Sequence, residues 1–265
     1  MSNYLLTANA FVYAAAVAGA GSITGIPNVY GGMTDAERRQ AVTAAKDELQ
    51  SAGLISMDFD GNETVDEKLL EAVKLCSWSR QITGYDLKIH GQRFTYTWYL
   101  NMDGRTAFLT SDSGEEGKYS LSMADENKAI ELLKKRIKFD GSNKGLTELV
   151  IENSQITIPD RSKLMASGAS AEMADLIEAS ITGDAGALTT RRLVNHVEDI
   201  SYVILFTDKA VVNMDIFYED STEKARLTPV SASEAYDLIT SLLKESEFEP
   251  FEEDGDDIYD EEDYK

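Results

Sequence analysis

Hydrophobic and polar positions along the chain alternate between two periods, and the switches divide it into elements. An alanine-rich apolar run over residues 4–19 predicts a first helix, ended by Gly19 and Gly21. The loop "SITGIPNVYGG" follows, with Pro27 disfavouring helix at Ile26. Between Thr34 and Gly53 the period is helical. Thr34 stands at the N-cap, Glu37 completes a capping box three residues on, and Gly53 closes the element. A further helix is predicted over Val65–Trp78, entered through a Thr64/Glu67 box. Period-two alternation then predicts strands at Tyr85–Ile89, Arg93–Leu100, Arg105–Ser111 and Lys118–Met123, with "NMDGR" as hairpin chemistry. A helix over Ala124–Lys138 carries Ile130, Leu133 and Ile137 on one face, and "FDGSNKG" reads as a joint.

The same order recurs afterwards. Short elements at Leu146–Ile151 and Gln155–Pro159 lead to a helix at Ala169–Ile181. Strands follow at Leu188–Val194, Ser201–Thr207, Ala210–Tyr218 and Lys224–Pro229, then a helix capped by Ser231 with Glu234. At an offset of 106, "YSLSMADENKAIELLKK" lies against "ARLTPVSASEAYDLITS", and Tyr96 falls on Tyr202. At 107, "LLEAV" matches "LIEAS". The expected fold is α+β: two pseudo-symmetric halves, an antiparallel central sheet with flanking helices, and a winged-helix-like helix–hairpin–helix over residues 36–78. The expected organisation is 1–140, 141–246 and a disordered acidic tail over 247–265.

"MDFDGNETVDEK" (57–68) has the texture of a calcium loop, but the spacing fails. Counting from Asp58 puts Glu63 where glycine is needed and Leu69 where the bidentate glutamate belongs. Counting from Asp60 puts Val65 at the glycine position. Asp60-Gly61-Asn62 is turn chemistry.

Composition narrows the function. The formal net charge is −22, and the stretch from Glu245 to Lys265 alone holds 12 acids against one lysine. An acidic body without a basic stripe argues against nucleic acid and anionic membranes. Cys76 is the only cysteine, which fits a reducing cytoplasm. The apolar N-terminal run lacks the charged start of a signal peptide, so no membrane insertion is expected.

Candidate chemistry is sparse. His90 and His196 have no cysteine or carboxylate at ligand spacing, so no metal is expected. No phosphate loop, dinucleotide fingerprint or nucleophile elbow appears, so neither cofactor nor enzymatic activity is expected. The aromatic strand "RFTYTWYL" is more suggestive. Phe94, Tyr96 and Trp98 share one face and Tyr99 takes the other, leaving an aromatic surface for a partner. Tyr96, Trp98, Tyr99 and Tyr202 are the candidate partner-binding residues.

The layout resembles the EspG-like secretion-associated proteins of type VII (ESX) systems. The resemblance rests on the first helix, the Gly-Pro loop "GSITGIP", the helix ending Leu49-Gln-Ser-Ala-Gly53-Leu54, the following Val65-Asp66 helix with Leu69 and Val73, and the second related half. Its composition sits nearer a Firmicute-type relative than an actinobacterial one. The resemblance implies a cytosolic, non-enzymatic chaperone that covers the hydrophobic tip of a helical-hairpin secreted protein. The alternative is an acidic immunity or inhibitor protein steered onto a basic toxin or nuclease.

Overall fold

The computed structural model describes residues 3–57, 59–60 and 63–248. Gly61 and Asn62 of the expected turn, and residues 249–265 of the acidic tail, lie outside them.

The chain opens with strand β1 (Asn3–Thr7) and helix α1 (Ala8–Val17), where one helix was expected over 4–19. Tyr4 and Leu6 are buried on one face of β1, and the strand pairs with residues 118–122. That long-range ladder overrides the local helical bias. Thr7 then caps α1, its hydroxyl accepting from the Ala10 N–H. Helix α2 (Asp35–Ser51) has the Thr34/Glu37 capping box in place. A small hairpin, β2 (Ile55–Met57) and β3 (Glu63–Val65), leads to α3 (Glu67–Ser77). The expected Thr64/Glu67 box does not form. Thr64 is paired with Ser56 in the hairpin, and the Asp66 carboxylate caps α3 by accepting from the Leu69 N–H.

Strands β4 (Gln81–Ile89), β5 (Gln92–Leu100), β6 (Thr106–Thr110) and β7 (Lys118–Met123) precede α4 (Glu126–Arg136). The second half comprises β8 (Leu149–Glu152), α5 (Ser154–Thr157), α6 (Arg161–Ala166), α7 (Ala171–Thr182), β9 (Gly186–Val194), β10 (Val197–Phe206), β11 (Val211–Glu219), β12 (Thr222–Pro229) and α8 (Ala232–Ser241).

Ten strands make one antiparallel sheet, ordered β1-β7-β6-β5-β4-β9-β10-β11-β12-β8. The order is symmetric about the β4–β9 seam, and so is the register. Tyr85 faces Thr190, while Gly84 faces Arg191 and Asp86 faces Thr189. A twofold through the Tyr85–Thr190 pair therefore carries each β4 residue onto the β9 residue 105 further on. It also carries the His90-Gly91 turn onto Asn195-His196. A bulge between Glu198 and Ile200 adds one residue, after which Tyr96 lies on Tyr202 at 106. The helices α3 and α7 align at 104 rather than 107: their caps are Asp66 and Ser170, and the buried set Leu69, Ala72, Val73, Cys76 falls on Met173, Leu176, Ile177, Ser180. The "LLEAV"/"LIEAS" match was a coincidence of amphipathic pattern.

Helices cover both faces. On the upper face, α1–α3 pack over the first half around Phe11, Leu49, Leu69 and Tyr99, and α5–α7 pack over the second around Leu164, Ile177, Leu205 and Leu227. On the lower face α4 and α8 share one core with Tyr85, Tyr96, Trp98, Ile204 and Phe206, which spans both halves.

Candidate docking surface

The upper face is open where the two helical layers part. Strand alternation aims Gly84 and Asp86 of β4, Thr95 and Thr97 of β5, and Thr189 and Arg191 of β9 into this gap, an open trough of about 410 Å³. Its wall on the first-half side is the Gly-Pro loop. The Tyr99 hydroxyl donates to the Thr24 carbonyl, and Gly25, at φ +91°, lies so close to β5 that a Cβ there would stand 2.3 Å from Thr97 Oγ1. Only glycine fits that backbone and that approach.

Two cross-strand ion pairs sit on the trough. Arg93 grips the Asp86 carboxylate, with Nε 2.8 Å from Oδ1 and 3.0 Å from Oδ2, and Arg191 stands 3.8 Å from Glu198. The pairs are equivalent under the twofold, since Asp86 maps onto Arg191 and Arg93 onto Glu198, 105 residues on in each case. Their signs are exchanged. The floor thus keeps the twofold in its backbone register, while these two pairs are antisymmetric in charge.

Beside the trough the second half is under-covered. The β11–β12 ladder runs eight rungs, from Val212↔Pro229 to Glu219↔Thr222, whereas β6–β7 has four. Along the additional length exposure rises. Val212 is buried, Met214 half-buried, and on the same upper face Ile216 is 48% and Tyr218 73% exposed. The Tyr218 hydroxyl donates to Glu223 at 3.1 Å, and this hydrogen bond raises its pKa. Small polar residues, paired charges and an apolar stripe offer contacts to side chains of a partner.

The aromatic residues expected to form the partner surface lie elsewhere. Tyr96, Trp98 and Tyr99 are 2%, 1% and 0% exposed. Tyr96 and Trp98 fill the core beneath α4 and α8, Tyr99 lies under the Gly-Pro loop, and Tyr202 is half-buried on the lower face. An aromatic strand with two apolar faces is here a strand with helices of its own chain on both sides, so these rings present no open surface. Burial raises the pKa of the three tyrosine hydroxyls, and it also pushes up the Cys76 thiol in the core. His90 and His196 occupy hairpin turns at φ 49° and 67°. Among the described residues no three metal-ligating side chains gather, and no helix is long and apolar enough to cross a membrane. Ile216 and Tyr218 were missed by sequence reasoning. Their signal was the alternation Val212, Met214, Ile216, Tyr218, which marks a face without saying whether a helix covers it.

No protein-family model and no curated protein sequence matches the chain. Its fold is similar to that of the Mycobacterium tuberculosis type VII secretion system chaperone EspG5, solved in complex with the PE25–PPE41 dimer. The TM-score is 0.58 at 8% identity, over 91% of this chain and 94% of that one. The α+β fold, a large antiparallel sheet flanked by helices, is therefore that of an EspG-like protein.

Proposed function

We propose that the chain is a non-enzymatic, chaperone-like binding factor of the cytoplasm that takes a helical-hairpin secreted protein of a type VII system. The observation that carries this reading is the under-covered upper face, on a fold shared with a type VII chaperone. Exposed Ile216 and Tyr218 supply apolar anchors, and the charged trough beside them supplies a polar border, the usual division of labour at a protein interface. A helical tip laid on the stripe keeps its apolar side chains out of water until export. Nothing in this role calls for a cofactor.

The test is co-expression with small helical-hairpin proteins encoded beside this chain, for the parent and for Ile216→Asp/Tyr218→Asp. Both side chains are exposed, so the variant should fold. The expected result is co-purification of one neighbour with the parent and its loss with the variant. If no neighbour co-purifies or gains solubility, the chaperone reading fails. If the variant retains the partner, the stripe is the wrong surface.

A further inference from the structure

Helix α4 runs furthest against the charge of the whole molecule, ahead of the short α6 with Arg161 and Lys163. Residues 126–138, α4 and the two residues after it, carry Lys128, Lys134, Lys135, Arg136 and Lys138 against Glu126 and Glu131, a net +3 in a chain of −22. Its twofold mate α8 has no cation and holds Glu234 and Asp237. Cations at a helix C-terminus complement the macrodipole, yet the last turns of the other helices hold one basic residue or none. Arg136 is engaged with Asp112, and Lys128 with Glu131. Lys134 lies 5.0 Å from the Tyr236 ring centroid. Lys134, Lys135 and Lys138 are exposed and form no salt bridge among the described residues, although the Lys135 charge is felt at Asp112.

The chain itself holds a complementary segment. Residues 249–265 contain ten acids and one lysine. The residues leading into it are strapped to the same lower face. The Gln81 side chain donates to the Leu242 and Lys244 carbonyls, the Ser246 N–H donates back to Gln81 at 2.8 Å, and the Ser246 hydroxyl donates to Asp199 at 2.7 Å. The segment therefore starts at the Gln81 end of β4. The cationic end of α4 lies toward the other end of that strand, where the Arg136 guanidinium sits 4.4 Å from the centroid of Phe94, the partner of Leu87. Six residues of strand separate the two places, about 20 Å at ~3.3 Å per residue. Seventeen residues of chain reach at most about 56 Å, so the segment is long enough to cross that gap, and its attachment to the same molecule raises the local concentration of its acids at the lysines.

We propose that the exposed ridge of Lys134, Lys135 and Lys138 is the seat of the chain's own acidic segment 249–265. Binding there places the acids on the lower face, away from the partner surface, and neutralises a cationic ridge that would attract unrelated acidic proteins.

Zero-length carbodiimide coupling of the dilute full chain, mapped by mass spectrometry, tests this. The expected result is that isopeptide links from residues 249–265 fall mainly on Lys134, Lys135 and Lys138. They should drop several-fold at about 0.5 M salt, where the screening length shrinks to ~4 Å. In a variant with the segment's acids changed to their amides, acetylation of Lys135 and Lys138 should speed up several-fold. Links spread evenly over Lys144, Lys209 and the other exposed lysines would overturn the proposal. So would links that run only between isotopically distinct chains, or acetylation rates that the amide variant leaves unchanged.

Discussion

Trp98 decides between two readings of the aromatic strand. As an interface anchor its loss would abolish binding and spare stability; as a core residue it would do the reverse. The side chain is 1% exposed and packs with Tyr96, Phe108 and residues of α4 and α8. Truncating a buried Trp to Ala costs about 3–5 kcal/mol. Trp98→Phe is the sharper experiment. The indole Nε1 is buried with no hydrogen-bond acceptor, and such an orphaned donor costs about 1–3 kcal/mol. Phenylalanine removes that penalty but leaves a void of roughly 40 Å³, which at ~24 cal/mol per Å³ costs about 1 kcal/mol. The two effects nearly cancel, so Trp98→Phe should sit within about 1 kcal/mol of the parent while Trp98→Ala falls by several. Urea unfolding followed by far-ultraviolet circular dichroism measures both. Equal large losses for the two variants would refute the orphaned-donor argument. An Ala variant as stable as the parent would refute the burial itself.

Three further outcomes follow from the same geometry. Gly25→Ala should destabilise by about 1–3 kcal/mol, because it combines a positive φ with a clash against Thr97; a thermal melt reads it, and Thr97→Ala in the same chain should recover the steric part only. Asp199→Asn should cost about 3 kcal/mol by urea titration, since Asp199 and Arg192 pair at 2.6 Å with side chains only 13% and 15% exposed and the change leaves a buried cation. At Asp112, hydrogen bonding from Arg136 holds the carboxyl below the usual carboxylate range. A depressed folded-state pKa contributes stability above the unfolded value that is lost as pH falls through the folded one. The urea midpoint of Asp112→Asn should therefore lie below the parent's at pH 7 and converge on it in acid, with a gap under about 1 kcal/mol because both side chains are partly solvated.

The features that were legible in the sequence are those whose cause is local. The Thr34/Glu37 and Ser231/Glu234 boxes and the alternating strands were placed correctly because caps and pleats depend on near neighbours. Errors came where a distant strand decides. Tyr4–Thr7 is a strand because β7 lies beside it, 115 residues on. Thr64 and Asp66 are both cap-forming types, and the choice fell to Asp66 because Ser56 claims Thr64 for the hairpin. For the surface the loss was larger. Alternation in β5 and β11 marks apolar faces in both, yet the first is buried on both faces and the second becomes exposed towards Tyr218.

That difference in cover is where the two halves stop being alike. The sheet obeys the twofold down to the Tyr85–Thr190 pair, but its cladding does not. The first half carries α1 and α2 of 10 and 17 residues, where the second has α5 and α6 of 4 and 6. A symmetric sheet under asymmetric cover leaves one apolar stripe exposed. The exchanged signs of Asp86–Arg93 and Arg191–Glu198 remove the remaining ambiguity. A partner bound across the seam and one turned end for end would meet the same backbone register but opposite charges at these two pairs, and like charges in close apposition oppose binding. In the proposed binding mode the symmetric sheet supplies a rigid floor, while affinity and orientation come from the places where that symmetry is broken.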